Sequence, residues 1–188
     1  MAADRPLRAD ARRNRTRLLD VAREVFAAEG LAVPIDEIAR RAGVGIGTVY
    51  RHFPTKQALF EAIVLDRVER LTTAAATASA DARTDPGEAF FTYLRCMIEA
   101  GAVDKAVHDT LAEAGGIDRA ALTAASHNLL AALGDLLTRA QHAGAVRTDI
   151  DAADLKAIMT GSLAMLRSAT GHPDRIITVI SDGLRPPR

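Results

Sequence analysis

Apolar residues in this 188-residue chain recur at three- and four-residue spacing, in stretches punctuated by glycine, proline and aspartate. Leu18, Ala22, Val25 and Phe26, flanked by Leu19, form the first stripe and predict a helix from about Ala11 to Glu29. Residues 1–10 are expected to form a flexible arm. Gly30 suits a C-cap, and Pro34 suits the first turn of a second helix with Ile35, Ile38, Ala39 and Ala42 along one side. Gly43 ends that helix. A short third one runs from about Ile46 to Phe53, where Pro54 stops it. Thr55 then caps a long helix that begins near Lys56 and reaches about Ala80.

The clearest linker is Asp81 to Glu88, and it ends in a helix start signal: Asp85 as N-cap, Pro86 at the first position and Glu88 three residues after the cap. A helix from Pro86 to Ala100 is expected to break at Gly101, with a shorter segment reaching Ala114 and closing at Gly115-Gly116. Asp118 to His142 reads as a long alanine- and leucine-rich helix ended by Gly144. Asp151 and Asp154 open another, which Gly171 ends, and Pro173 opens the last. The count is about nine helices, with no strand and no internal repeat. Composition agrees: apolar residues make up 48%, aromatics only 4%, and tryptophan is absent. The fold class is therefore all-α, and the length suffices for one large domain or two small ones.

Zero net charge argues against a nucleic-acid partner until its distribution is considered. Residues 1–56 carry 11 Lys+Arg against 7 Asp+Glu, and residues 57–188 carry 13 against 17. A basic N-terminal part on an acidic remainder suits a DNA-binding head on a separate body. The single cysteine, Cys96, excludes an intramolecular disulfide, fits a reducing cytoplasm and reads as a buried apolar filler. No apolar run approaches the ~18–20 residues of a membrane span, so no membrane partner is expected. The arginine-containing N-terminus lacks the apolar region of a secretory signal.

Ile35 to Phe60 carries the chemistry. Two short helices around Gly43-Val44-Gly45, followed by a capped third, form a helix-turn-helix pattern. Gly43 can take a positive φ, and Val44 can anchor the turn in the core. Val49 and Phe53 lie four apart and face inward; Thr48, Arg51 and His52 lie away from that stripe, toward DNA. Tyr50 sits at the edge, with its hydroxyl placed for a phosphate, and Lys56 begins the next helix as a phosphate cation.

The elements Ile38-Ala39, Ala42-Gly43-Val44, Gly47-Thr48-Val49-Tyr50, His52-Phe53, Lys56 and Leu59-Phe60 resemble the N-terminal signature of the tetracycline-repressor (TetR) family of transcriptional regulators. The resemblance covers about residues 11–64. It implies an all-helical homodimer that binds a palindromic double-stranded DNA operator and releases it when a small-molecule effector enters the body. It also implies that Thr48, Tyr50 and His52 touch the DNA backbone or groove and that Lys56 meets a phosphate. Two positions depart from the pattern. Gly45 stands where the family often has a capping serine, and glycine is a slightly weaker cap. Ile46 stands where the family often has a polar, base-reading residue; an isoleucine there either touches a thymine methyl or packs inward. Gly45, Ile46, Gly47, Thr48, Tyr50, Arg51, His52 and Lys56 make up the expected DNA-binding set, together with Arg12 and Arg13. These two belong to an arginine series (Arg5 to Arg17) that reads equally as a phosphate-neutralising arm or a solvated tail.

Other chemistry is weakly supported. The glycines at 43, 45 and 47 lack the strand and spacing of a nucleotide loop, the five histidines show no metal-ligand spacing, and Ser126-His127 lacks a nucleophile motif. No enzyme, metal or cofactor is implied. The helix after Pro86 concentrates aromatics that are scarce elsewhere. Phe90, Tyr93, Leu94 and Met97, with His127, are candidates to line a ligand pocket, against the ordinary alternative of core. Leu155, Ile158, Ser162, Leu166, Ile177 and Ile180, on the last two helices, are candidates for a dimer interface, against closure of the monomer core.

The resulting expectation is a flexible basic arm (1–10), an N-terminal three-helix helix-turn-helix DNA-binding domain (11–55) and a C-terminal helical ligand-binding and dimerisation domain (56–188). The function expected is that of a cytoplasmic homodimeric repressor released by ligand. The alternatives are an activator or ligand-blind regulator with the same head, or a helical small-molecule-binding protein without DNA function.

Overall fold

A computed structural model describes residues 4–30, 32–81, 84–103, 119–168 and 173–187. Among them every regular element is a helix, eight in all: α1 (Asp4–Glu29), α2 (Ile35–Ala42), α3 (Ile46–His52), α4 (Lys56–Ala80), α5 (Pro86–Val103), α6 (Arg119–His142), α7 (Ala152–Ser168) and α8 (Pro173–Leu184). The chain forms two compact units, and one boundary between them falls within α4, between Asp66 and Arg67.

In the first unit, α1 packs on α2 and α2 on α3. Leu18, Leu19, Ala22, Val25 and Phe26 of α1 are buried, as are Ile35, Ile38, Ala39 and Ala42 of α2, so each expected stripe is an inward face. α1 begins at Asp4 rather than near Ala11. Arginine, alanine and leucine there are good helix formers, and Pro6 falls in the first turn, where its missing N–H costs nothing. Pro34 is the N-cap of α2 rather than part of its first turn. Asp36 and Glu37 open α2 and Arg40 and Arg41 close it, complementing the helix dipole.

The turn after α2 is a Schellman motif. Gly43 has φ +65°, its N–H bonds to the Arg40 carbonyl at 3.2 Å, and the Val44 N–H bonds to the Ala39 carbonyl at 3.1 Å. Val44 is only half-buried, so the hydrogen bonds and Gly43 set the turn more than a buried valine does. The Thr55 hydroxyl accepts the Ala58 N–H at 3.0 Å and caps α4 as expected.

In the second unit, α5 packs against α7 and α8, which also touch each other. Asp85 Oδ1 accepts the Gly87 and Glu88 N–H groups at 2.9 and 3.0 Å, fixing the start of α5. Asp151 and Asp154 cap α7 reciprocally: Asp151 Oδ1 accepts the Ala153 and Asp154 N–H groups, and Asp154 Oδ2 accepts the Asp151 N–H at 3.1 Å. Gly144 (φ +72°) closes α6 with the same paired bonds as Gly43. α5 continues through Gly101 to Val103, correcting the expected break; one glycine costs a helix about 1 kcal/mol, which its neighbours outweigh. The segment expected to reach Ala114 lies outside the described residues.

Candidate nucleic-acid interface

α3 is anchored by two residues. Val49 is fully buried and Phe53 nearly so, and the Arg15 guanidinium lies 5.8 Å from the Phe53 ring centroid. That leaves one face of the helix outward. Ile46 is 40% exposed and Tyr50 47%, while Gly45, Gly47, Arg51 and His52 are also exposed and Thr48 is half-buried. Ile46 therefore does not pack inward. Gly45 is the N-cap of α3 with extended backbone and no side-chain bond; its carbonyl accepts the Thr48 N–H at 2.8 Å.

Cations come from several elements of this unit. Arg13, Arg15 and Arg17 are exposed on α1; the Arg12 side chain lies outside the described residues. Lys56 opens α4, half-buried, its ammonium 5.9 Å from the Phe26 ring centroid. Burial lowers its pKa, because part of its hydration is replaced by apolar surface. A bound anion would restore partners to that ammonium.

The spacing of Glu37, Arg40 and Arg41, three and four residues apart on α2, is the sequence signal of an ion-pair network. Glu37 accepts from Arg40 Nε at 2.8 Å and Nη2 at 2.7 Å, and from Arg41 Nε at 2.6 Å. Arg41 also reaches Glu29 at the end of α1, with Nη2 to Oε2 at 3.2 Å. The Arg40 and Arg41 hydrogen bonds hold the Glu37 carboxyl at a pKa of about 2, and Arg40 is raised in turn by Glu37. These two arginines are thus paired within the protein, and their charge is partly neutralised before any ligand arrives.

Residues 18–63 match the family described as bacterial regulatory proteins, tetR family. Residues 85–186, more than half of the chain, match the SbtR-like transcriptional regulator C-terminal domain. The chain belongs to the TetR family. Among solved TetR-family structures, a transcription regulatory protein from Mycobacterium vanbaalenii is 50% identical, with 96% of this chain and 99% of that one covered and a TM-score of 0.79. A TetR transcriptional regulator from Streptomyces coelicolor is 32% identical over 93% of this chain and 99% of its own, with a TM-score of 0.75. The uncharacterized HTH-type regulator TtgW of Pseudomonas putida is 43% identical over 60 residues, which is 31% of this chain and 45% of TtgW. UidR of Escherichia coli is 37% identical over 65 residues, 34% of this chain and 33% of UidR. The match thus spans less than half the length of these two curated relatives. The family and these relatives are transcriptional regulators, not enzymes.

The second unit of this TetR-family chain holds the candidate pocket residues in different settings. Phe90, Tyr93 and Leu94 are buried core residues, Met97 packs against that core and His127 is exposed. The Tyr93 hydroxyl already donates to the Leu71 carbonyl at 3.1 Å, and burial pushes its pKa up. A groove of about 440 Å³ exists elsewhere, lined by Glu88, Phe91, Thr92 and Arg95 of α5, by Ala145, and by Thr178, Ser181 and Asp182 of α8, with Asp85, Gly87 and Arg185. Of the aromatic run it takes only Phe91, over which Arg185 stacks at 4.5 Å. Cys96 is exposed, not a buried filler. No helix among the described residues is long and apolar enough to cross a membrane.

The expected dimer residues divide. Leu155, Ser162 and Ile177 are interior to the single chain, at 1%, 1% and 0% exposure, and so close the monomer core instead of facing a partner. The Ser162 hydroxyl donates to the Ile158 carbonyl at 2.6 Å. Ile158 and Ile180 pack half-buried against the core, and the Leu166 side chain lies outside the described residues. The large apolar side chains that α7 and α8 do expose are Met165 (54%) and Val179 (67%).

Proposed function

We propose that this chain is a DNA-binding transcriptional repressor of the cytoplasm that works as a homodimer on a palindromic operator and is released by a small-molecule effector. The observation that carries the DNA-binding part is α3 itself. Val49 and Phe53 bury one face behind the Gly43 turn, while Ile46, Tyr50, Arg51 and His52 stay exposed. That arrangement fits a helix laid in the major groove. Thr48, Tyr50, His52 and Lys56 would grip sugar and phosphate, with Arg13 and Arg12 adding phosphate neutralisation, while Ile46 and Arg51 would meet base edges and the bare Gly45 and Gly47 would admit close approach.

A two-fold dimer places two such helices ~34–36 Å apart, in successive major grooves. Met165 and Val179, exposed on α7 and α8, would supply apolar surface for that dimer, with the half-buried Ile158 and Ile180 on the same two helices. Release requires an effector that binds the off-DNA arrangement more tightly than the on-DNA one. α4 contributes residues to both units and is the element through which binding would be transmitted.

A mobility-shift assay on the DNA upstream of the protein's own gene, and on a pool of random duplexes, tests the reading. Retardation by the wild type, weakened in Tyr50→Ala and in Lys56→Ala, is expected. Absence of retardation on every duplex would refute a DNA-binding function, and undiminished retardation by both variants would refute the contact assignment.

A further inference from the structure

Four large apolar side chains are exposed among the described residues, and two of them, Ile46 and Tyr50, belong to α3. Four residues apart, they are neighbours on the helix surface and both stay exposed, although Val49 between them in sequence is buried. The positions on either side of Ile46 in sequence are glycines. A Cβ placed on Gly47 would meet nothing within 4 Å, and one on Gly45 would meet only Thr48 Oγ1 at 3.9 Å. The surface around Ile46 is therefore bare backbone from which a single branched apolar side chain rises.

A lone exposed isoleucine on a protein surface requires no explanation. On the face that would meet a duplex, it decides the kind of readout. Isoleucine neither donates nor accepts a hydrogen bond, so it cannot recognise the polar edges of guanine, adenine or cytosine. The one apolar feature on a base edge in the major groove is the C5-methyl of thymine. The missing side chains at 45 and 47 let the helix backbone come close enough for a short side chain to reach it.

We propose, resting on the DNA-binding reading above, that Ile46 selects a T·A pair at one position in each operator half-site by packing on the thymine C5-methyl. A polar side chain at this place would read by hydrogen bond and tolerate loss of that methyl; Ile46 does not. The contact buries one methyl group, and its loss is expected to weaken binding about three- to five-fold per half-site.

The test begins with selection of a duplex from a random pool by the wild-type protein. Each thymine of the selected duplex is then replaced in turn by uracil, in both half-sites together, which removes the methyl and leaves pairing intact. Affinities are measured for wild type and Ile46→Ala, with circular dichroism and a thermal melt to show that the variant is folded, as substitution of an exposed residue should leave it. Sensitivity of the wild type at one thymine per half-site, absent in Ile46→Ala, supports the proposal. A wild type that binds DNA but is indifferent to every uracil, or an Ile46→Ala variant with undiminished uracil sensitivity, overturns it while leaving DNA binding intact. Failure of the wild type to select any duplex removes both this proposal and the reading beneath it.

Discussion

Arg41, near the end of α2, grips Glu29, the last residue of α1, through both terminal guanidinium nitrogens, with Nη2 donating to Oε2 at 3.2 Å. The same guanidinium holds Glu37, so the helix that precedes the turn is tied to the helix beneath it by a network that sequence spacing alone half-reveals. Exposed pairs of this kind contribute little singly and weaken in salt.

The network has a pH signature. The folded pKa of Glu37 lies at about 2, below its ordinary value of 4.5, because Arg40 and Arg41 bond its charged form. A depressed carboxyl contributes stability above the unfolded pKa and loses it as pH falls through the folded one. The contribution should therefore be complete above pH 4.5 and decline toward pH 2. Acid titrations of the melting temperature should show a shallower slope in this window for Glu37→Gln, and the wild-type advantage should shrink at high salt.

Gly43 and Gly47 should respond oppositely to alanine. Gly43→Ala forces a side chain into the left-handed region, at a cost of about 1–2 kcal/mol in chemical denaturation. Gly47 is helical and its Cβ would meet nothing, so Gly47→Ala should be neutral or up to about 1 kcal/mol more stable. On the proposed reading the same methyl crowds the DNA, so this variant should melt no lower than wild type yet bind more weakly.

Tyr93→Phe removes a hydroxyl bonded to the Leu71 carbonyl in the core. A loss of about 0.5–1.5 kcal/mol is expected, with an unchanged denaturant slope because the surface exposed on unfolding is the same. A value near zero would show that the hydrogen bond contributes no net stability.

Lys56→Ala should lower DNA affinity evenly across sequences. The slope of log affinity against log salt should flatten by about 0.9, the share of one phosphate contact. A change of sequence preference instead would place Lys56 on a base.

The division of α7 and α8 predicts two classes of variant. Leu155→Ala, in the core, should cost about 2–5 kcal/mol. Val179→Glu and Met165→Glu alter exposed positions and should leave each protomer folded. Sedimentation should show them shifting the proposed dimer toward monomer.

The sequence by itself determined what depends on neighbours along the chain. Helix starts at Lys56, Pro86 and Ala152 were legible because Thr55, Asp85 and Asp151 bond to amides two or three residues ahead. The turn at Gly43 was legible because it needs a positive φ, and the inward stripe of α3 because helical spacing puts Val49 and Phe53 together. Periodicity marks a face but not what covers it. Only the tertiary structure decided that Phe90 and Leu94 are core, that Leu155 and Ile177 lie inside the chain while Met165 and Val179 lie outside, and that Cys96 is exposed. α5 and α7 are apolar on more than one side, and which side is buried is fixed by the helices that pack there. Ile46 shows the same division: its place on α3 is local, but its exposure follows from how α3 is set against α2.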